Sequence, residues 1–243
     1  MAKYWDNGGF FEQPSASSLK KNSQSTVKKE KAKGKVLDPI VVSGRQIVKS
    51  WWGKAWSDNL EQYADFESRL ERGKRYVRTG TVVDLKINHG RILARVQGRR
   101  KTPYKTEIRI SPLSEERCQK IIQNCGRRVE NLEELVDGNF PDDLKELFLG
   151  KDGLFPAPRE ISFSCSCPDW ALMCKHVAAV LYGVGVRLDE DPLLFFELRG
   201  IDAGRFIDVT LQSKVEQMLS HVDCRSERII QDRKIEELFG MQL

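Results

Sequence analysis

The stretch CSCPDWALMCKH, residues 165–176, sets three cysteines and a histidine in the pattern C-x-C-x6-C-x-H. Three thiolates and one imidazole are a full tetrahedral set for zinc. Cys165 and Cys167 are two residues apart, so on an extended strand their side chains leave the same face. Cys174 and His176 have the same spacing, which on a helix points side chains to nearly opposite sides. Cys174 is therefore expected just before a helix and His176 in its first turn, with the apolar run 177–184 carrying that helix into a core. The predicted unit is a strand from about Glu160, a knuckle with Cys165 and Cys167, a loop through Pro168 and Trp170, and a helix. The competing assignment is ordinary buried thiols. It is disfavoured because this stretch holds half of the six cysteines and one of the three histidines, at ligand spacing. Asp169 has two roles open to it: capping the loop, or acting as a partner of His176 behind the metal. Trp170 is expected to lie over the knuckle as a lid, and Lys175 to point outward.

The proline after the second cysteine and the closing C-K-H make the stretch resemble the SWIM zinc finger. All four ligand positions match that pattern. WWGKAW (51–56), GKRYVRTGTVVDLKINHGRILARVQG (73–98), PYKTEIRI (103–110) and DPLLFFELRGID (191–202) are similar to bacterial SWIM zinc finger proteins beyond the finger itself. The resemblance implies a DNA-binding or protein-interaction module. It also implies a companion of Snf-type DNA-translocating ATPases or of recombination and repair factors.

Outward from the finger, charge is polarised. Residues 1–35 hold eight Lys against three acids, residues 36–128 hold 20 basic and 10 acidic side chains, and residues 129–243 hold 12 basic and 22 acidic. A basic front and an acidic back suit a molecule that turns one end to a polyanion. Hydrophobic content of 40% suits a globular chain with a real core. No run approaches the roughly 20 apolar residues of a membrane span, and the N-terminus lacks the apolar core of a signal peptide. Cysteines used as ligands and scattered singles fit a reducing compartment. The expected location is cytoplasmic, with nucleoid association as an extension of it.

The expected fold class is α+β. An antiparallel three-stranded meander with flanking helices is joined by a small strand–knuckle–helix zinc finger and a helical C-terminus. Residues 1–35 are expected to be a disordered basic tail, because aliphatics are sparse among Ser, Lys and Gln. Tyr4, Trp5, Phe10 and Phe11 are unusual in such a tail. Residues 36–150 form the N-terminal domain, 151–190 the finger, and 191–243 the C-terminal helices. Ser50 is placed to cap a helix whose face carries Trp52, Trp56, Leu60, Tyr63 and Leu70. Trp51 falls off that face and is the candidate for an exposed ring.

Residues 76–110 alternate as three strands, with turns at 88–90 and 98–103. One face of that sheet is apolar. The other, with the second turn, collects the candidate nucleic-acid contacts Arg78, Arg91, Arg95, Arg99, Arg100, Lys101, Lys105 and Arg109. From Arg69 to Arg109 there are 13 basic and three acidic residues, where a merely soluble face mixes signs. Cys118, Ile121, Ile122, Cys125 and Val129 share a helical face, and the two thiols are two turns apart, too far for a joint metal or a disulfide. Short helices are expected at 132–136, 144–149 and 193–199, and longer ones at 207–219 and 227–239. His221 and Cys224 lack a second ligand pair and are read as incidental.

The metal ligands are thus Cys165, Cys167, Cys174 and His176, and the metal is zinc. The expected function is DNA binding by an accessory protein with low sequence specificity, since no base-reading signature is present. The alternative is an adaptor that grips a Snf-type ATPase or a repair factor. No Gly-rich phosphate loop, nucleophile elbow or carboxylate pair stands near the metal, so neither an enzyme activity nor a small-molecule substrate is expected.

Overall fold

The computed structural model describes residues 14–128, 145–150 and 153–202, with scattered positions between 204 and 219. Four strands form one antiparallel sheet in the order β1-β2-β3-β4: β1 Val82–Asn88, β2 Arg91–Val96, β3 Tyr104–Ile110 and β4 Ile161–Cys165. The β1–β2 link is the expected tight turn, with His89 and Gly90 both at positive φ (36° and 73°). The meander is therefore extended by the finger's own strand, which pairs with β3 through Thr106↔Cys165 and Ile108↔Phe163. The finger expected as a separate unit over 151–190 shares a sheet with residues 82–110. Its helix also fills their core.

That helix, α6 (Lys175–Glu190), is buried from His176 through Val186 and again at Leu188. A helix apolar on nearly all sides belongs in the middle of a structure. One side of α6 faces the apolar rows of the sheet, such as Val82↔Val96 and Leu85↔Ala94. Another meets α2 (Trp51–Glu61) and α3 (Glu67–Arg78). Small residues let these layers approach. A Cβ on Gly73 of α3 would lie 2.5 Å from Ala178 Cβ, and one on Gly183 would lie 3.1 Å from Ile40.

The tryptophan-rich segment serves this packing. Trp52 Nε1 donates to Leu188 O (2.8 Å) and Trp56 Nε1 to Leu181 O (3.0 Å), so both indoles lean on α6 and satisfy their own N–H. Ser50 caps α2 by accepting from Gly53 N (3.0 Å). Trp51 is not the exposed ring expected. It packs edge-on against Trp52 and Phe148, each at 5.6 Å.

Three further expectations are corrected. Residues 51–70 are two helices, not one. The chain breaks after Glu61, and Asp65 in the break accepts from Leu172 N (2.8 Å) and Met173 N (3.1 Å) of the finger loop. Residues 76–81 are not strand. α3 runs on to Arg78, and the hydroxyls of Thr79 and Thr81 donate to Tyr76 O (2.9 and 2.8 Å), so β-branched residues that read as strand close a helix instead.

Third, residues 16–32 of the expected disordered tail are a helix, α1 (Ala16–Ala32), capped by Ser15. Its buried seam is Leu19, Ser23, Thr26 and Glu30, which is helical spacing with a single aliphatic. Thr26 donates to Gln97 Oε1 (2.7 Å), and Glu30 pairs with Arg95 (3.0 Å). The helix docks by polar contacts, which a search for apolar periodicity does not register. Past α1, Ile40 N donates to Val82 O and Leu85 N to Asp38 O, so this segment covers the outer edge of β1.

Beyond β3, α4 (Glu115–Arg128) buries Ile121 and Ile122 and half-buries Cys118, and α5 is Lys145–Leu149. After α6, the short α7 (Leu194–Leu198) ends at Arg199, which is 1% exposed. Arg199 pairs with Glu160 (3.0 Å) and donates to Ser111 O (2.9 Å), and Glu160 also pairs with Arg117 (3.0 Å). One carboxylate at the start of β4 thus ties α4 and α7 to the sheet. Tyr4, Trp5, Phe10, Phe11, the helices expected at 132–136 and 227–239, Val129, His221 and Cys224 lie outside the described residues, as does the Cys125 side chain. The helix expected at 207–219 is described at scattered positions only.

Candidate metal centre and basic face

Cys165 ends β4 on the apolar side of the sheet, opposite Thr106, whose hydroxyl lies 3.6 Å from its sulfur. Pairing continues one residue further, since Ser166 N donates to Lys105 O (3.0 Å) and Lys105 N to Ser166 Oγ (2.9 Å). This holds the knuckle extended, so Cys167 faces the same way as Cys165. Of the two roles open to Asp169, the structure shows the loop cap. It accepts from Ala171 N (3.3 Å) and pairs with Arg69 (3.1 Å). Asp65 holds the next two amides. Cys174 is the N-cap of α6 with an extended backbone, and His176 lies in the first turn. The spacing argument for the second pair therefore matches the geometry.

The ligand atoms of Cys165, Cys167, Cys174 and His176 all lie within 4.8 Å of one another. His176 Nδ1 is 3.9 Å from the Cys165 sulfur and 4.0 Å from the Cys174 sulfur. A tetrahedral zinc with bonds near 2.3 Å needs sulfur–sulfur edges of about 3.8 Å. The cluster is thus close to the size a tetrahedral zinc needs, its longest edge about 1 Å too long, and a small inward movement of the side chains closes it on the metal with Nδ1 as the imidazole ligand. In the first turn of α6 the backbone N–H of Val177 favours the Cys174 thiolate.

The thiol protons are unevenly shared. A hydrogen bond from Cys174 and the His176 ring beside it hold Cys165 far below the thiol range, at about 3. Cys174 is pushed up by that same bond and by burial, and burial raises Cys167. Burial also lowers His176, which favours the neutral imidazole that metals take. The imidazole is clamped by two rings. Tyr104 stacks on it at 4.3 Å, and Tyr76 meets it edge-on at 5.4 Å. Gly98 closes over this pair, because a Cβ there would lie 2.7 Å from Tyr104 Cε2.

Trp170 is not a lid. It is 81% exposed and meets Phe66 edge-on at 5.4 Å, beside Leu172, which is 66% exposed. The loop is tied down by Asp65 and Asp169 instead, which turns Ala171 and Met173 inward and leaves Trp170 and Leu172 outside.

The structure divides the basic residues into three groups. Arg91, Arg95, Lys105 and Arg109 sit together on the solvent face of the sheet, with Arg91 opposite Arg109 and Arg95 opposite Lys105. Glu107 receives both Arg91 and Arg109 at 2.7 Å, and Arg95 holds Glu30. Arg99, Arg100 and Lys101 form the β2–β3 hairpin, where the Arg100 guanidinium lies 5.3 Å over the Tyr104 ring. Arg78 ends α3 and is not on the strand face. Sequence reasoning missed Arg72 and Arg75. They stand one helical turn apart next to the metal centre, a spacing that is visible once residues 67–78 are taken as helix.

Residues 161–184 match the SWIM zinc finger. The chain is also 35% identical over 156 residues to an uncharacterized protein from Mycobacterium tuberculosis. That match covers 63% of this chain and 56% of the relative, so the chain spans little more than half of that protein's length. No solved structure matches the chain. Among the described residues, no helix is long and apolar enough to cross a membrane.

Proposed function

We propose that this chain, which carries a SWIM zinc finger at residues 161–184, is a zinc-stabilised accessory protein that binds nucleic acid, DNA in the first place, with low sequence specificity. One observation carries this reading: four cations from adjacent strands share the solvent face of the sheet, and the hairpin beside them adds three more. Glu107 is set among them, and Asp84 of β1 stands opposite Arg95. Glu30 lies against their edge, itself ringed by Arg95, Lys33 and Lys35 (3.0 to 3.3 Å). Arginine forks on a flat surface suit phosphate oxygens. Base edges are read by a helix or ribbon in a groove, and a broad sheet face offers neither.

Zinc here holds the scaffold. Four protein ligands leave no coordination position for water, which favours a structural over a catalytic ion. The protein is proposed to have no enzymatic activity of its own. Thiolate ligands require a reducing compartment, which supports action in the cytoplasm at the nucleoid.

A second reading has its own observation. Trp170 of the finger loop meets Phe66 at the start of α3, and both these rings and Leu172 of the same loop are exposed apolar side chains. Such a group suits docking to a protein, a Snf-type DNA-translocating ATPase in the adaptor reading.

The test is titration of labelled single- and double-stranded DNA at about 50 and about 200 mM salt. Contact with about five phosphates is expected to weaken binding roughly 500-fold between those salts. Substituting Arg99, Arg100 and Lys101 together by glutamine is expected to weaken binding and flatten the slope. Absence of binding at the lower salt transfers the function to the protein-docking reading.

A further inference from the structure

We infer that the cavity beside the metal centre binds a phosphomonoester, carried on the end of a nucleic-acid strand or on a mononucleotide. The strand-end form rests on the nucleic-acid reading above; the mononucleotide form does not. The cavity has a volume of about 410 Å³, and its walls include Arg72, Arg75, Arg99, Lys175, Tyr104 and His176. That volume is within the span of small-ligand sites, roughly 300 to 1,000 Å³.

The four cations come from three places in the chain, α3, the β2–β3 hairpin and the start of α6, and the fold brings them to one concavity. Asp169 is the carboxylate on the wall, and it is already engaged by Arg69 and by Ala171 N. Arg72 and Arg75 have partners of their own. Arg75 additionally donates to Pro14 O at the rim. Arg99 and Lys175 make no ion pair among the described residues.

His176 gives the independent sign of an acceptor. It is 2% exposed, and its Nδ1 faces the sulfurs. With Nδ1 on a metal, Nε2 carries the proton and is a donor. Nε2 is buried and has no hydrogen-bond partner among the described residues, and the ring it belongs to is one of the cavity's walls. Ligand histidines normally donate their second N–H to an acceptor that fixes the ring. A phosphate oxygen in the cavity supplies that acceptor. It would also lie near the positive end of α6, whose first residue is Lys175. A monoester fits better than a chain diester, because it carries close to two negative charges and three terminal oxygens, which suit several guanidinium forks at once.

The experiment uses the full-length, zinc-loaded protein and three probes: a single-stranded oligonucleotide with a phosphorylated end, the same oligonucleotide with hydroxyl ends, and adenosine monophosphate. Binding to the phosphorylated end is expected to be at least about tenfold tighter, the worth of one charge-assisted hydrogen bond. That preference is expected to vanish in Arg99→Gln/Lys175→Gln, with zinc content and melting retained. It is expected to survive in Arg100→Gln/Lys101→Gln, which weakens both oligonucleotides alike. Arg72→Gln serves as a second cavity variant should the first lose zinc. Equal binding of both oligonucleotides without binding of adenosine monophosphate overturns the inference and leaves the nucleic-acid reading standing. Binding of adenosine monophosphate alone, dependent on Arg99 and Lys175, supports the cavity and overturns nucleic-acid binding. Binding of none overturns both.

Discussion

A methyl group on Gly98 has nowhere to go. It would meet Tyr104 Cε2 at 2.7 Å, and the Tyr104 ring is held between the His176 imidazole and the Arg100 guanidinium. Gly98→Ala is therefore expected to cost about 1–3 kcal/mol, as overpacking of a filled site does. It is also expected to weaken metal binding, because the displaced ring is the one that orients the ligand histidine. Thermal melting and competition for zinc with a chromophoric chelator measure the two effects. The four ligands were legible in the sequence because metal chemistry restricts both residue type and spacing. Gly98 was not, since nothing in its neighbours says that a ring from another part of the chain closes over it. Trp170 was misplaced for a related reason. Its exposure follows from where Asp65, a hundred residues earlier, holds the loop backbone.

The elements divide by what they pack with. The sheet was legible because apolar residues alternate along its strands, and α6 because an unbroken apolar run follows directly on Cys174 and His176. The helix α1 was not, because its seam is Ser23, Thr26 and Glu30 with Leu19 alone as aliphatic. Its docking should therefore respond to pH. Hydrogen bonds from Arg95, then Lys33 and Lys35, hold the Glu30 carboxyl at about 2, below its ordinary 4.5. A depressed pKa means stability that is fully present above about 4.5 and is lost as pH falls toward about 2. Glu30→Gln is expected to melt lower than the natural protein at pH 6, and the gap is expected to shrink between pH 4.5 and 3. A gap independent of pH removes the electrostatic explanation of how α1 is held. Between α3 and α6 the constraint is steric. A Cβ on Gly73 would stand 2.5 Å from Ala178 Cβ and 3.1 Å from the backbone of Ala178 and Ala179. Gly73→Ala is expected to separate the helices at a cost of about 1–3 kcal/mol, read from the urea midpoint at unchanged slope.

At the scale of the molecule, one helix serves two purposes. α6 is capped by one metal ligand, Cys174, carries a second, His176, in its first turn, and continues as the helix on which the sheet, α2 and α3 pack. The finger is thus not an appendage whose loss would spare the rest. The sequence marked its residues well but not this arrangement, because strand pairing between residues 104–110 and 161–165 spans a long intervening chain and leaves no local signature. The most direct test counts zinc in the purified protein by mass spectrometry and follows melting before and after chelation, beside Cys165→Ser and His176→Ala. One zinc per chain is expected. Its removal is expected to cost roughly 3–5 kcal/mol, lowering the midpoint by about 10 °C, with both variants near the chelated protein. A chain without zinc, or a Cys165→Ser protein that keeps one metal per chain and melts unchanged, contradicts the metal centre as the point on which this fold is built.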